Sequence, residues 1–197
     1  MDIFKIAQKN QDTAWQVVKE IDVFNAWRSI GAEINMVGSL KSGLLMKNRD
    51  IDFHIYTDEL LISDSFSAIK KIAENNAIKD ITYKNLIDTE EECIEWHAWY
   101  QDRENFLWQI DMIHIRKGSA YDGVVESMTN SIIDRLTDET KEAILRIKYD
   151  TPEEVKILGA EIYHAVLFYG VKDYKEFSEW KKNNRNINLL ELYMKRD

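Results

Sequence analysis

The chain of 197 residues holds a single cysteine, Cys93, and a single proline, Pro152. One thiol excludes an internal disulfide and any zinc cage built from several cysteines. A reduced, cytoplasmic setting is the simple expectation. Only seven glycines are present, so there is little material for long linkers or low-complexity tails. No run approaches the roughly 18 consecutive apolar residues of a membrane span, and the first ten residues lack the apolar centre of a secretory signal. A soluble protein is expected. A basic excess is missing too: 26 Lys and Arg stand against 35 Asp and Glu, a formal net charge of −9. Such a field leaves no footprint for a long polyanion. It suits a neutral or cationic small acceptor better than DNA or RNA.

What the chain does have is apolar material for a core, 45% hydrophobic with 11% aromatic. Residues 4–30 carry Ile6, Trp15, Val18, Ile21, Phe24 and Trp27 at helical spacing, with Asp12 and Thr13 placed to cap a break. Gly31 ends the segment, and residues 33–37 read as a short strand stopping at Gly38. Residues 39–47 read as a short helix or turn. Residues 50–56 alternate, with Asp50, Asp52 and His54 on one strand face and Ile51, Phe53 and Ile55 on the other. A helix follows from Ser63 or Asp64 to about Asn75, then a strand within residues 78–86. Residues 93–100 and 106–115 form the arms of a hairpin. From about residue 122 the pattern is helical to the end, with Thr151, Pro152 and Glu154 placed as N-cap, N1 and capping-box residues of a new helix. The fold class expected is α/β: a small mixed sheet with flanking helices over residues 1–118, then a helical bundle over residues 119–197 that binds the acceptor.

The stretch with chemical content runs from Gly38 to Asp52. A strand that ends in Gly38-Ser39 and opens a helix presents backbone N–H groups and a hydroxyl to an anion, a natural phosphate cradle. Glycine at 38 lets that backbone approach a triphosphate. The following strand offers Asp50 and Asp52 side by side, hard oxygen donors of the kind Mg²⁺ takes together with substrate phosphates. Asp111 lies in the middle of an apolar strand, where an acid is costly unless it is paired or coordinates a metal. It is the candidate third carboxylate, sharing its face with Gln109 and Ile113, and could take the proton of an attacking hydroxyl. The alternative for Asp111 is an ion pair with a base such as Arg116. Lys41, Lys47 and Arg49 sit where triphosphate oxygens could be met, or else face solvent. His54 reads as a hydrogen-bonded wall residue or a substrate contact. Trp96, Trp99, Tyr100 and Trp108 read as sheet packing or as a stacking surface.

The pattern Gly-Ser, three residues, Gly43, six residues, Asp50-x-Asp52 resembles the signature of the DNA polymerase beta-like nucleotidyltransferase superfamily, and is especially similar to its minimal and aminoglycoside-modifying members. The resemblance implies that Gly38 and Ser39 hold nucleotide phosphates and that Asp50, Asp52 and Asp111 bind metal, two Mg²⁺ ions in all. It also implies a nucleoside triphosphate donor, with ATP expected, and a helical part that selects a small-molecule acceptor. Where members of that family often have serine or threonine before the first aspartate, this chain has Arg49. The activity implied is transfer of a nucleoside monophosphate to an acceptor hydroxyl with release of pyrophosphate. Two other readings are a non-catalytic nucleotide-binding module of the same fold and a transferase acting on tRNA or a partner protein.

Overall fold

Ile3, Ala7, Ala14, Val17, Val18 and Ile21 recur at helical spacing and form the buried stripe of the first helix, α1 (Ile3–Ile21). The computed structural model describes residues 2–184. Helix α1 runs straight through Asp12 and Thr13, contrary to the expected break. Asp12 accepts from Gln8 and Thr13 bonds back to the Lys9 carbonyl, so both stay on the solvent side of a continuous helix. The break comes instead at Asp22, whose backbone is left-handed (φ 51°), a conformation aspartate adopts more readily than most residues. Helix α2 (Val23–Arg28) follows at once. Trp15, expected among the core positions, is 49% exposed.

The remaining elements are β1 (Glu33–Val37), α3 (Gly38–Lys41), β2 (Asp50–Thr57), α4 (Ile62–Ala73), β3 (Ile78–Leu86), β4 (Cys93–Gln101), β5 (Leu107–Arg116), α5 (Val124–Ile133), α6 (Asp138–Asp150), α7 (Gly159–Tyr169) and α8 (Tyr174–Asn183). The expected hairpin is β4–β5, with arms displaced by one residue at most. The helix start expected at Thr151-Pro152 is a turn, and α7 begins at Gly159. Thr151 Oγ1 bonds back to the Ile147 carbonyl and so closes α6 rather than opening a new helix. Residues 153–156 are exposed and present no apolar stripe to bury. The helical pattern expected over residues 185–197 lies outside the described residues.

The five strands order as β1-β2-β5-β4-β3, with β2 and β5 parallel and the other neighbours antiparallel. Alternation sends Ile51, Phe53, Ile55, Trp96, Ile110 and Met112 to one face. There they close a core with Val18, Ile21, Trp27, Ile69 and Ile72 of α1, α2 and α4. Two buried indoles find partners, as burial of an N–H requires: Trp96 donates to Ser65 Oγ at 2.8 Å and Trp27 to Met112 Sδ at 3.4 Å. The other face carries Asp50, Asp52, His54, Gln109, Asp111, His97 and Trp99. A second core joins α5–α8 through Ile132, Ile144, Ile147, Ile162, Val166 and Phe177, and Leu44 from the α3–β2 connection belongs to it. A third, small cluster unites Ile3, Ala7 and Met46 with Leu145 of α6. The polar sheet face and the helices thus bound one cleft of about 1390 Å³.

Candidate active site

The turn from β1 into α3 places Gly38 against β2. Gly38 is left-handed (φ 69°), and a Cβ there would lie 2.1 Å from Asp52 Oδ2. The bare backbone therefore packs directly on the carboxylate, a proximity no other residue permits. The first-turn N–H groups of α3 have no intrahelical acceptor, and Gly38 and Ser39 both line the cleft. Ser42 Oγ donates to the Gly38 carbonyl at 3.0 Å and braces the turn.

Asp52 and Asp111 stand opposite each other in the parallel β2–β5 register, with Asp50 opposite Gln109. One strand spacing, about 4.8 Å, separates the two chains, so the three carboxylates crowd one patch of the face. Burial, with the charges of Asp111 and Asp50, pushes the Asp52 carboxyl up to about 7; Lys148 pulls the other way. Burial and Asp111 raise Asp50 too. Asp111 Oδ1 accepts from Gln109 Nε2 at 2.8 Å and lies 2.6 Å from His97 Nδ1. The alternative of an Asp111–Arg116 pair is not found: Arg116 bonds Glu92 at the far end of the strand.

The other candidates are distributed as follows. Lys41 is exposed and is not among the residues lining the cleft. Lys47 lines it but donates to the Thr151 carbonyl and stands over the Tyr149 ring, holding the connection to the end of α6. Arg49 lies at the rim with its guanidinium 3.9 Å from the Phe106 ring centre. His54 lines the cleft wall in a polar set, its Nδ1 3.3 Å from Tyr56 Oη and 3.5 Å from Glu126 Oε2, with Tyr56 donating to Glu126. Burial works against the Glu126 carboxylate, but the His54 and Tyr56 contacts outweigh it and lower its pKa. Trp96, Tyr100 and Trp108 are buried, whereas Trp99 is half-buried on the polar face.

Two residues of the site were not singled out by the sequence reading. Lys148 reaches in from α6, donating to the Leu44 carbonyl at 2.8 Å and to Tyr163 Oη at 3.0 Å, and its charge acts on both Asp50 and Asp52. Its sequence signal is faint, a lysine beside Ile144, Leu145 and Ile147. His97 had a clearer one: pairing the hairpin arms puts it opposite Asp111.

A hard divalent cation fits this donor set. Three carboxylates share a face with little counter-charge, and burial together with that crowding raises Asp52. Among the described residues no three acidic, histidine or cysteine side chains already close into a cage. Mg²⁺ takes few ligands from protein, keeping several waters and sharing its shell with substrate phosphates.

No protein-family model and no curated protein sequence matches the chain. Solved structures do. A cytoplasmic RNA terminal U-transferase superposes with a TM-score of 0.52 at 16% identity, over 86% of this chain and 52% of that one. The non-canonical poly(A) polymerase GLD-2 matches in its complex with GLD-3 (TM-score 0.51, 10% identity, 100% of this chain and 70% of that one). It matches again in its complex with RNP-8 (0.53, 9%, 94% and 74%). This chain spans about half the length of the U-transferase structure. At 9–16% identity the likeness is one of fold: the sheet with its flanking helices is the arrangement shared with those structures.

Proposed function

We propose that the protein is a Mg²⁺-dependent nucleotidyltransferase that moves a nucleoside monophosphate from a nucleoside triphosphate to an acceptor hydroxyl and releases pyrophosphate. The observation that carries this is the convergence of Asp50, Asp52 and Asp111 beside Gly38-Ser39 on the floor of one cleft. The α3 N–H groups, Ser39 and Lys148 hold the phosphates that leave. Asp50 and Asp52 would hold divalent cations, and Asp111 would help to hold one and would accept the proton of the attacking hydroxyl. Bound there, Mg²⁺ supplies charge neutralisation for the transferring phosphoryl group. Lys148 offsets part of the carboxylate repulsion before substrate arrives. The donor is a nucleoside triphosphate, with ATP our first choice.

In-line displacement puts the attacking and leaving oxygens on opposite sides of phosphorus. With the phosphates at the β1–α3 turn, the acceptor enters from the β5–β4 side, past Asp111. Net acidity argues for a small neutral or cationic acceptor. The likeness to an RNA terminal U-transferase and a poly(A) polymerase argues for a second reading, the terminal hydroxyl of an RNA. Incubation with each labelled nucleoside triphosphate, Mg²⁺, an RNA oligonucleotide and a panel of small alcohols decides between them by which product carries label. Asp52→Asn should abolish pyrophosphate release while leaving the fold intact. Unchanged turnover in that variant would sink the assignment, and nucleotide binding without turnover on any acceptor would leave a non-catalytic binding module.

A further inference from the structure

Asp111 sits in mid-strand, flanked by Ile110 and Met112 that are fully buried on the opposite face. A carboxylate in such a place is free to rotate about its side chain unless something fixes it. Directly across the antiparallel β4–β5 pair stands His97, on the same face and at the Cβ separation of about 5 Å where cross-strand side chains meet. Its Nδ1 lies 2.6 Å from Asp111 Oδ1, and Gln109 Nε2 donates to that same oxygen at 2.8 Å. A carboxylate oxygen only accepts, so Nδ1 carries the ring proton. Two donors fill the two lone pairs of Oδ1. Among the described residues Oδ2 has no hydrogen bond. His97 Nε2 is 3.9 Å from Glu95 Oε2, too far for a hydrogen bond.

We propose that His97 is a positioning residue that locks the rotation of Asp111, so that Oδ2 alone is offered to the divalent cation and the acceptor hydroxyl. The proposal rests on the nucleotidyl-transfer reading above. Groups that orient ligating carboxylates typically change metal affinity or activity by 10–100-fold when removed. A histidine that merely relieved a carboxylate in an apolar strand would affect stability and leave the site's selectivity among replacements flat. The lock makes a sharper demand, because only a donor at the Nδ1 position satisfies it. Asparagine places its amide N–H near that position; glutamine places it near Nε2.

The test uses the full chain with Mn²⁺ as the probe, titrated by the loss of its free electron-spin-resonance signal in the presence of a non-hydrolysable nucleoside triphosphate analogue. Turnover is measured alongside. His97→Ala should weaken Mn²⁺ binding and lower kcat by about 10–100-fold, with KM for the nucleotide within about threefold of wild type. His97→Asn should recover both to within about threefold, and His97→Gln should resemble the alanine variant. Should alanine fail to fold, the asparagine–glutamine pair decides alone. Equal behaviour of asparagine and glutamine, or an alanine variant that binds Mn²⁺ like wild type, overturns the lock. A wild-type chain that holds no Mn²⁺ also overturns it. One that holds Mn²⁺ but transfers nothing overturns the transfer reading instead, and the Mn²⁺ arm still judges His97.

Discussion

Gly38 and Asp52 constrain each other through one contact, and each can be tested through the other. Adding a methyl at 38 places it 2.1 Å from Asp52 Oδ2, on a left-handed backbone that costs an L-residue about 1–2 kcal/mol. Gly38→Ala should therefore lower stability by at least that amount and push the carboxylate aside. A displacement near 1 Å costs on the order of 100-fold in rate, so a thermal melt and a turnover assay should both register the change. Asp52 itself makes stability depend on pH. Its proton is held up to about pH 7 in the fold, against 3.8 for an unperturbed carboxyl. Between those values the native state binds more protons than the unfolded chain, so stability falls as pH rises through that window, and above it this group's whole contribution is lost. Each tenfold change in acidity is worth about 1.4 kcal/mol, which puts the effect at a few kcal/mol. Metal-free Asp52→Asn should accordingly melt higher than wild type at pH 8 and equal it near pH 4. Added Mg²⁺ should narrow the gap at pH 8. A wild-type chain that is the more stable of the two at pH 8 without metal would refute the buried-charge account.

At the scale of elements, legibility followed whether a local pattern had one solution. In β2 the alternation of Asp50, Asp52 and His54 with Ile51, Phe53 and Ile55 allows a single face assignment, so its polar face could be read from the chain. The Gly38-Ser39 turn was legible because only glycine fits there. The α6–α7 junction was not, since Thr151 can cap either helix and only the bond to Ile147 shows which it serves. Trp15 misled for a related reason: periodicity reports a stripe, not what covers it. Lys148 was hidden because its contacts, Leu44 and Tyr163, lie 104 and 15 residues away. The half-buried Trp99 on β4, opposite Gln109, is where register turns into a prediction. It stands on the side from which the acceptor is proposed to enter. Stacking on an aromatic ring is worth about 1–3 kcal/mol per base, so Trp99→Ala should raise KM for a ring-bearing acceptor about tenfold. KM for the nucleoside triphosphate should stay put. Steady-state kinetics with each substrate varied separately check this, and a rise in nucleotide KM alone would move the acceptor elsewhere.

Across the whole molecule, the α/β part and the helical part are joined at the connection between α3 and β2. Leu44 packs in the helical core, Met46 packs against Leu145 of α6, and Lys47 donates to the Thr151 carbonyl. Lys148 answers from the other side, bonding the Leu44 carbonyl and Tyr163 while facing Asp50 and Asp52. One of the residues that tie the two parts together is thus the cation beside the carboxylates. We propose on this ground that residues 1–118 and the helices after them unfold as one unit, with the cleft as their shared boundary. Lys148→Met keeps the aliphatic stem and removes the charge and the donors, leaving the Leu44 carbonyl and the Tyr163 hydroxyl short of a partner. An unsatisfied buried group costs about 1–3 kcal/mol, so the melting midpoint should fall while the transition stays single. The same variant takes a positive charge from the proposed phosphate side of the cleft, and kcat/KM for the nucleoside triphosphate should drop at least tenfold. A lowered midpoint with unchanged kcat/KM would leave Lys148 as a strut only, and two resolved transitions would mean that the cleft separates parts that fold on their own.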